Sequence, residues 1–308
     1  MELYNPSVIH GIKNKYGFKF SKSLGQNFLT DRSVLEGIVQ GADISREDLV
    51  LEIGPGIGTL TMEAAKKAGK VVAVEIDGNL IEILSETLAG FDNVKVVAGN
   101  ILKTDVQKLI AEEGGATLQE GDGRKQRRYE NVKIIGNLPY YITTGIIMKL
   151  LEERLPVKSI TIMMQKEVAD RIKSGPGSRT YGAISVAVQY YCHICTVEEV
   201  PKECFMPMPK VDSTVLRLDI RETPPVDLID EKMFFRCIKA GFGQRRKTLL
   251  NSLKGLQFRK EVIEECLKAA EIDPMRRAET LSLQDFATLA NEFSQKRGNQ
   301  LPDRKSVV

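Results

Sequence analysis

The chain has 308 residues, 42% hydrophobic and 28% charged, enough for one or two domains that each bury a core, which excludes disordered and fibrous classes. Forty-four basic against 41 acidic residues leave a net charge of +3, too small to name a partner by itself. No apolar run reaches the roughly eighteen residues of a membrane span. The start lacks the basic patch and apolar stretch of a signal peptide, and the five cysteines are odd in number and scattered. Together these predict a soluble, cytoplasmic protein with free thiols.

Taken in chain order, the first feature is a stretch from Leu3 to Thr30 holding four lysines, Lys13, Lys15, Lys19 and Lys22, and no acid. From Leu49 to about Ile220, short β-branched runs alternate with amphipathic stretches, the pattern of strands joined by crossover helices. LVLEIG (49–54), VVAVEID (71–77), VKVVAGNI (94–101), VKIIGNLPY (132–140) and SITIMMQ (159–165) read as strands buried on both faces, hence a mostly parallel, doubly wound α/β sheet. Residues 112–130 read as an exposed charged insertion, in which Arg124, Lys125, Arg127 and Arg128 offer a phosphate contact or a solvated loop. ISVAVQYY (184–191) and VLRLDI (215–220) read as an antiparallel pair closing the sheet. Pro224 and Pro225 then break regular structure, and only helical periodicity follows. The expected division is therefore a domain over 1–221, a small all-helical domain over 222–296, and a disordered tail over 297–308. Between Arg236 and Lys260 lie eight basic residues and no acid. Leu249, Leu250, Leu253 and Leu256 share a helical face behind the cations Arg245, Arg246 and Lys247. Each block alone reads as a solvated face, and two of them favour a polyanionic partner.

Two strand ends carry chemistry. Glu52-Ile53-Gly54-Pro55-Gly56-Ile57-Gly58 is a glycine-rich turn that lets backbone approach a ligand, with Gly54 and Gly56 as the points of approach. A dinucleotide fingerprint needs Gly or Ala where this chain has Thr59, which weakens the reading as a nicotinamide oxidoreductase. Glu75-Ile76-Asp77 ends the second strand, where a carboxylate can accept both hydroxyls of a ribose. A nucleoside without a phosphate requirement fits, with S-adenosylmethionine the candidate; a tight turn with a solvated Glu75 is the alternative. Asn137-Leu138-Pro139-Tyr140 suits an exocyclic amine, whose lone pair is delocalised into its ring and needs two acceptors to localise it. The Asn137 side-chain oxygen is one, and the Leu138 carbonyl, held extended ahead of Pro139, is the other. Tyr140 offers a face for base stacking. A strand-ending turn with a core tyrosine is the alternative. Cys192-His193-Ile194-Cys195 is not read as a zinc site, because a second ligand pair is missing and strand alternation separates the two cysteines.

Over nearly its whole length the sequence resembles the ribosomal RNA adenine dimethylases, and among them those of the small subunit. The resemblance lies in KSLGQNFL (22–29), LEIGPGIGTLT (51–61), VEID (74–77), NLPY (137–140), MQKEVADRI (164–172), FMPMPKVDS (205–213) and FGQRRKTLLNSL (242–253). It implies a Rossmann-like methyltransferase sheet and transfer of four methyl groups from S-adenosylmethionine to two adjacent adenosines in a 16S rRNA hairpin, in the 30S subunit, by a monomer with a role in ribosome biogenesis. It further implies that Gln26, Asn27 and Leu29 form an arm over the cofactor, that Gly54 approaches its methionine part and Glu75 its ribose, that Asn100 and Ile101 meet its adenine, and that Ile76 also belongs to the cofactor-binding set. Asn137 belongs to both cofactor and catalytic sets, with Phe205 a second aromatic surface opposite Tyr140 and Arg245, Arg246 and Lys247 contacting RNA. Asn100 departs from the family's usual aspartate, which bears on cofactor affinity. The alternatives are a macrolide-resistance type 23S rRNA methylase and a mainly non-catalytic assembly factor.

Overall fold

The computed structural model describes residues 2–18, 20–21, 25–114 and 129–298, with side chains to 296. Lys19, Lys22, Arg124, Lys125, Arg127, Arg128 and the tail from residue 299 lie outside the described residues. The chain divides into two compact units: Met1–Ala169 with Cys192–Ile220, and Asp170–Tyr191 with Arg221 onward. No helix among the described residues is long and apolar enough to cross a membrane.

The first unit opens with α1 (Pro6–Tyr16), β1 (Phe28–Leu29) and α2 (Arg32–Gly41), the last capped by Asp31, whose carboxylate accepts from the N–H groups of Ser33 and Val34. Alternation follows: β2 (Asp48–Ile53), α3 (Thr59–Lys67), β3 (Lys70–Glu75), α4 (Gly78–Thr87), β4 (Val94–Ala98), α5 (Val106–Gly114), β5 (Asn131–Asn137), α6 (Thr143–Glu152) and β6 (Ser159–Gln165). All six residues of β2 are buried, so it reads as an unbroken apolar run rather than an alternating one. α7 (Lys166–Lys173) leads the chain into α8 (Ala183–Tyr191), after which β7 (Cys192–Val200), β8 (Phe205–Met206) and β9 (Ser213–Ile220) return to the first unit.

The main sheet has the order β4-β3-β2-β5-β6-β9-β7, with β4 through β6 parallel and β9 and β7 antiparallel at one end. The order reverses between β2 and β5, so the chain leaves those two neighbours in opposite directions. A crevice opens at their carboxyl ends, where open α/β sheets bind ligands. A two-stranded pair, β1 with β8, brings Leu29 opposite Phe205. At the other end of β2 and β5, buried Lys133 and Asp48 form an ion pair of 2.9 Å.

ISVAVQYY is helix α8, not the closing strand expected; β7 takes that place, pairing with β9. The cause is burial on every side. Ile184 through Tyr190 are buried except Gln189, so no polar face marks the 3.6-residue period, and the β-branched, aromatic composition imitates a strand. In β7, Cys192 is buried and Cys195 exposed. Residues 112–114 end helix α5, where Glu113 pairs with Lys70 and Lys95.

The second unit continues with α9 (Glu231–Gly243), α10 (Leu249–Ser252), α11 (Lys260–Ala269) and α12 (Leu283–Gly298). Its core joins Tyr181, Val186 and Tyr190 to Phe234, Leu253, Phe286 and Phe293. Leu249, Leu253 and Leu256 are buried as their spacing predicts, although the helix tightens to a 3₁₀ turn after Ser252.

Candidate active site

A cavity at the carboxyl ends of β2, β3, β4 and β5 is built wholly from the first unit. Every residue expected to hold the cofactor lines it: Gln26, Asn27 and Leu29 from the arm, Gly54 and Gly56 from the turn after β2, Glu75 and Ile76 at the end of β3, Asn100 and Ile101 after β4, and Asn137 ending β5. The turn needs its glycines. Gly54 and Gly56 have φ of +69° and +63°, and a Cβ on Gly56 would come within 2.9 Å of the Phe28 ring. A Cβ on Gly54 would meet no protein atom within 4 Å, which leaves room at the cavity wall for a guest. Side chains tie the arm down: Gln26 Nε2 donates to Asp77 Oδ2 at 2.8 Å, and the Phe28 ring stacks on Phe18.

Glu75 is buried and accepts three backbone hydrogen bonds: Ile76 N at 2.8 Å and Asp77 N at 2.9 Å on Oε1, and Gly56 N at 3.3 Å on Oε2. Burial raises its pKa, and the three donors pull the other way. A carboxylate offers about four acceptor sites. Backbone donors use three of them, two on Oε1 and one, at 3.3 Å, on Oε2. Glu75 thus holds the glycine turn against the end of β3. Asn100 is likewise engaged, since its Oδ1 accepts from Leu102 N at 2.9 Å in a local turn.

Asn137 Nδ2 donates to the backbone carbonyl of Asn27 at 2.9 Å. This bond fixes the amide: with its nitrogen on the arm, the atom left to accept is its oxygen, on a residue that lines the cavity. Leu138 is buried and its N–H goes to Met163 O at 3.2 Å, which keeps the segment extended beyond β5. The Tyr140 hydroxyl shares a hydrogen bond of 2.8 Å with that of Ser213, and burial raises the Tyr140 pKa, so the phenol stays neutral.

Leu138, Tyr140 and Phe205 do not line the cavity, whereas Pro139 and Tyr141 do. Phe205 is only 4% exposed and packs in the core with Leu29, Val34 and Val215, because its pairing with Leu29 turns the ring inward. The open surface expected there is part of the core. Arg245, in the second unit, donates to the carbonyls of Arg179 at 2.7 Å and Tyr181 at 3.1 Å; Arg246 and Lys247 are exposed.

Several residues were not singled out from the sequence. Ser213 and Asp77 fall inside quoted motifs but act through partners distant in sequence. Tyr141 is 62% exposed at the cavity. Glu52 had a visible signal, a charged residue in a strand otherwise buried on both faces. It is 1% exposed, lines the cavity, and burial pushes its pKa up to about 8.

The sequence model of the family described as ribosomal RNA adenine dimethylase matches residues 17–295. The chain is 51% identical to the ribosomal RNA small subunit methyltransferase A of Alkaliphilus oremlandii, over 95% of this chain and 98% of that one. To the protein of the same name from Clostridioides difficile it is 52% identical, over 92% and 94%. Among solved structures, a dimethyladenosine transferase from Plasmodium falciparum superposes with a TM-score of 0.70 at 26% identity, covering 88% of this chain and 98% of that one. The 23S rRNA methyltransferase ErmE follows with a TM-score of 0.62 at 25% identity, covering 87% and 100%. The matched span takes in the arm, all four strand ends around the cavity and the helices that follow, and the chain belongs to the ribosomal RNA adenine dimethylases.

Proposed function

We propose that this protein dimethylates the N6 amino groups of two adjacent adenosines in the 3′-terminal hairpin loop of 16S rRNA, using S-adenosylmethionine, within the 30S subunit, as a cytoplasmic monomer. The small-subunit target rests on relatives named for it at 51% and 52% identity, against 25% for the 23S enzyme.

The cavity fits the cofactor by its donor set: an acidic strand end with acceptor room left for the ribose, a glycine turn with space beside Gly54, and exposed Ile76 with buried Ile101 as apolar walls. When bound, S-adenosylmethionine supplies a methyl group activated by a positively charged sulfur. The protein's task is then to make a poor nucleophile attack. Asn137 Oδ1 accepts one hydrogen of the adenine amine and the Leu138 carbonyl the other, which draws the nitrogen lone pair out of the ring. No general base is required, because the amine loses its proton after attack. Tyr140, set by Ser213, gives the base an aromatic face worth about 1–3 kcal/mol, comparable to the cost of unstacking it. The second wall assigned to Phe205 requires its ring to leave the core, so Tyr140 receives the base first.

The observation that carries this reading is the anchoring of Asn137 Nδ2 on the Asn27 carbonyl, which orients the acceptor oxygen. Asn137→Ala is expected to lower transfer to undermodified 30S subunits by about 10²-fold or more, with subunit binding retained. Dimethylation persisting in that variant, or label from wild-type protein entering only 50S subunits, would overturn the proposal.

A further inference from the structure

Among the described residues, the cavity wall carries two carboxylates, Glu52 and Glu75, and no lysine, arginine or histidine. The two acids are not equivalent. Glu75 is compensated by three backbone N–H donors. Glu52 Oε2 is buried without a hydrogen-bond partner. What faces Glu52 from the neighbouring elements is Glu75 on β3, a like charge, and the hydroxyl of Thr61 on α3, a neutral donor whose weak pull toward the charged form is smaller than the effect of burial; neither supplies positive charge. An ionised carboxylate held there would stand uncompensated, so burial keeps the proton on it in the ligand-free protein at neutral pH.

We propose that Glu52 is the counter-ion of the cationic methyl donor, surrendering its proton as the donor binds and so favouring the charged donor over its neutral-sulfur product. The inference rests on the cofactor reading above and adds a charge change to it. The O–H bond of the carboxylic acid breaks, the electron pair stays on Glu52, and the proton leaves to buffer. No other bond changes. The sulfonium takes the place of the proton as the compensating positive charge.

Linkage fixes the sign. Below the pH at which Glu52 titrates in the ligand-free protein, the complex holds fewer protons than its components, so affinity rises with pH by up to about tenfold per unit. Above that pH the dependence on Glu52 vanishes. The donor's own α-amino group, an amine of the kind that ionises at about pH 8 in model compounds, is common to the wild-type and variant titrations. The acid limb is therefore the signature, and Glu52→Gln keeps the shape while abolishing that limb.

The test is isothermal titration of the full chain with S-adenosylmethionine and with S-adenosylhomocysteine. It is run at about pH 6.5, about pH 7.5 and about pH 8.5, each in two buffers of different ionisation enthalpy. Wild type is expected to release close to one proton per donor bound at the lowest pH, and fewer per product. Donor affinity should rise about tenfold between the first two pH values. In Glu52→Gln the release disappears, and at the highest pH the donor weakens by about tenfold or more while the product changes less. Equal release in both proteins would overturn the inference, as would wild type that binds without release. Should Glu52→Gln fail to fold, wild type decides alone: an affinity flat between about pH 6.5 and about pH 7.5 refutes the role of Glu52. Wild type that binds neither compound removes the cofactor reading itself, a different outcome from binding both without proton release.

Discussion

Arg245, Arg246 and Lys247 sit in the turn after α9 as consecutive cations, yet their surroundings differ. The Arg245 guanidinium is held by the carbonyls of Arg179 and Tyr181, with Glu279 at 3.8 Å, and it ties the turn to the segment before α8. Arg246 and Lys247, exposed like Arg245, carry no such bonds to backbone among the described residues. Each phosphate neutralised adds about 0.7–0.9 to the slope of log affinity against log salt. Replacing Arg246 and Lys247 together by alanine is expected to lower the slope for 30S binding by about 1–2. Arg245→Ala should leave the slope within error and cost about 1 kcal/mol of stability. Filter binding across a salt series, with thermal unfolding beside it, checks both; a slope that falls with Arg245→Ala alone would return that residue to the RNA contact. At this scale the sequence exposes residue type but not commitment. Asn137 was legible because a polar residue ending a buried strand before Leu-Pro has a restricted set of uses. The Gly56 donor on Glu75, the surroundings of the Glu52 carboxyl and the carbonyls on Arg245 were not, because segments distant in sequence bring those partners together or withhold them.

Strand β7 forms one margin of the sheet, and its pairing with β9 slips between Thr196 and Glu198, leaving Val197 as an extra residue. The bulge meets helix α2 at two glycines four residues apart. A Cβ on Gly37 would overlap the Glu198 carboxylate, and one on Gly41 would overlap both methyl groups and Cβ of Val197. The carboxylate is the far end of a flexible side chain, while Val197 is stiff at χ1, so Gly41 is the position that cannot yield. Helix propensity favours alanine there by about 1 kcal/mol or less, and overpacking opposes it by about 1–3 kcal/mol. Gly41→Ala is expected to destabilise. Adding Val197→Ala should recover part of the loss, a coupling readable in denaturant titrations; strictly additive effects would contradict this packing. Four of the five parallel strands were legible because burial on both faces leaves an unbroken apolar signature; β4, expected to be buried likewise, lies at the other margin with its residues half-buried or exposed and was marked by its β-branched run alone, whereas the bulge has no signature. The same logic hid α8, where burial on every side erases the helical period and leaves a composition that suits a strand.

Across the whole molecule, the second unit is not one stretch of sequence. Residues 170–191 belong to it, although seen from the sequence the change of pattern at Pro224 and Pro225 is the only boundary on offer. A chain ending at Ile220 would retain every strand of the sheet but strip Tyr181, Val186 and Tyr190 of their partners on α9 through α12. At about 1.5–3 kcal/mol for each large apolar side chain returned to water, three such losses rival the stability of a typical domain. Residues 1–220 are therefore expected to aggregate or to elute in association on size exclusion, where the full chain does not; a monodisperse, cooperatively unfolding fragment would show that the sheet tolerates the bare helix. The same arrangement bears on how the protein is born. With synthesis at about 5–20 residues per second, α8 leaves the exit tunnel seconds ahead of the helices that shelter it, so the nascent polypeptide offers a greasy segment to trigger-type chaperones during that interval.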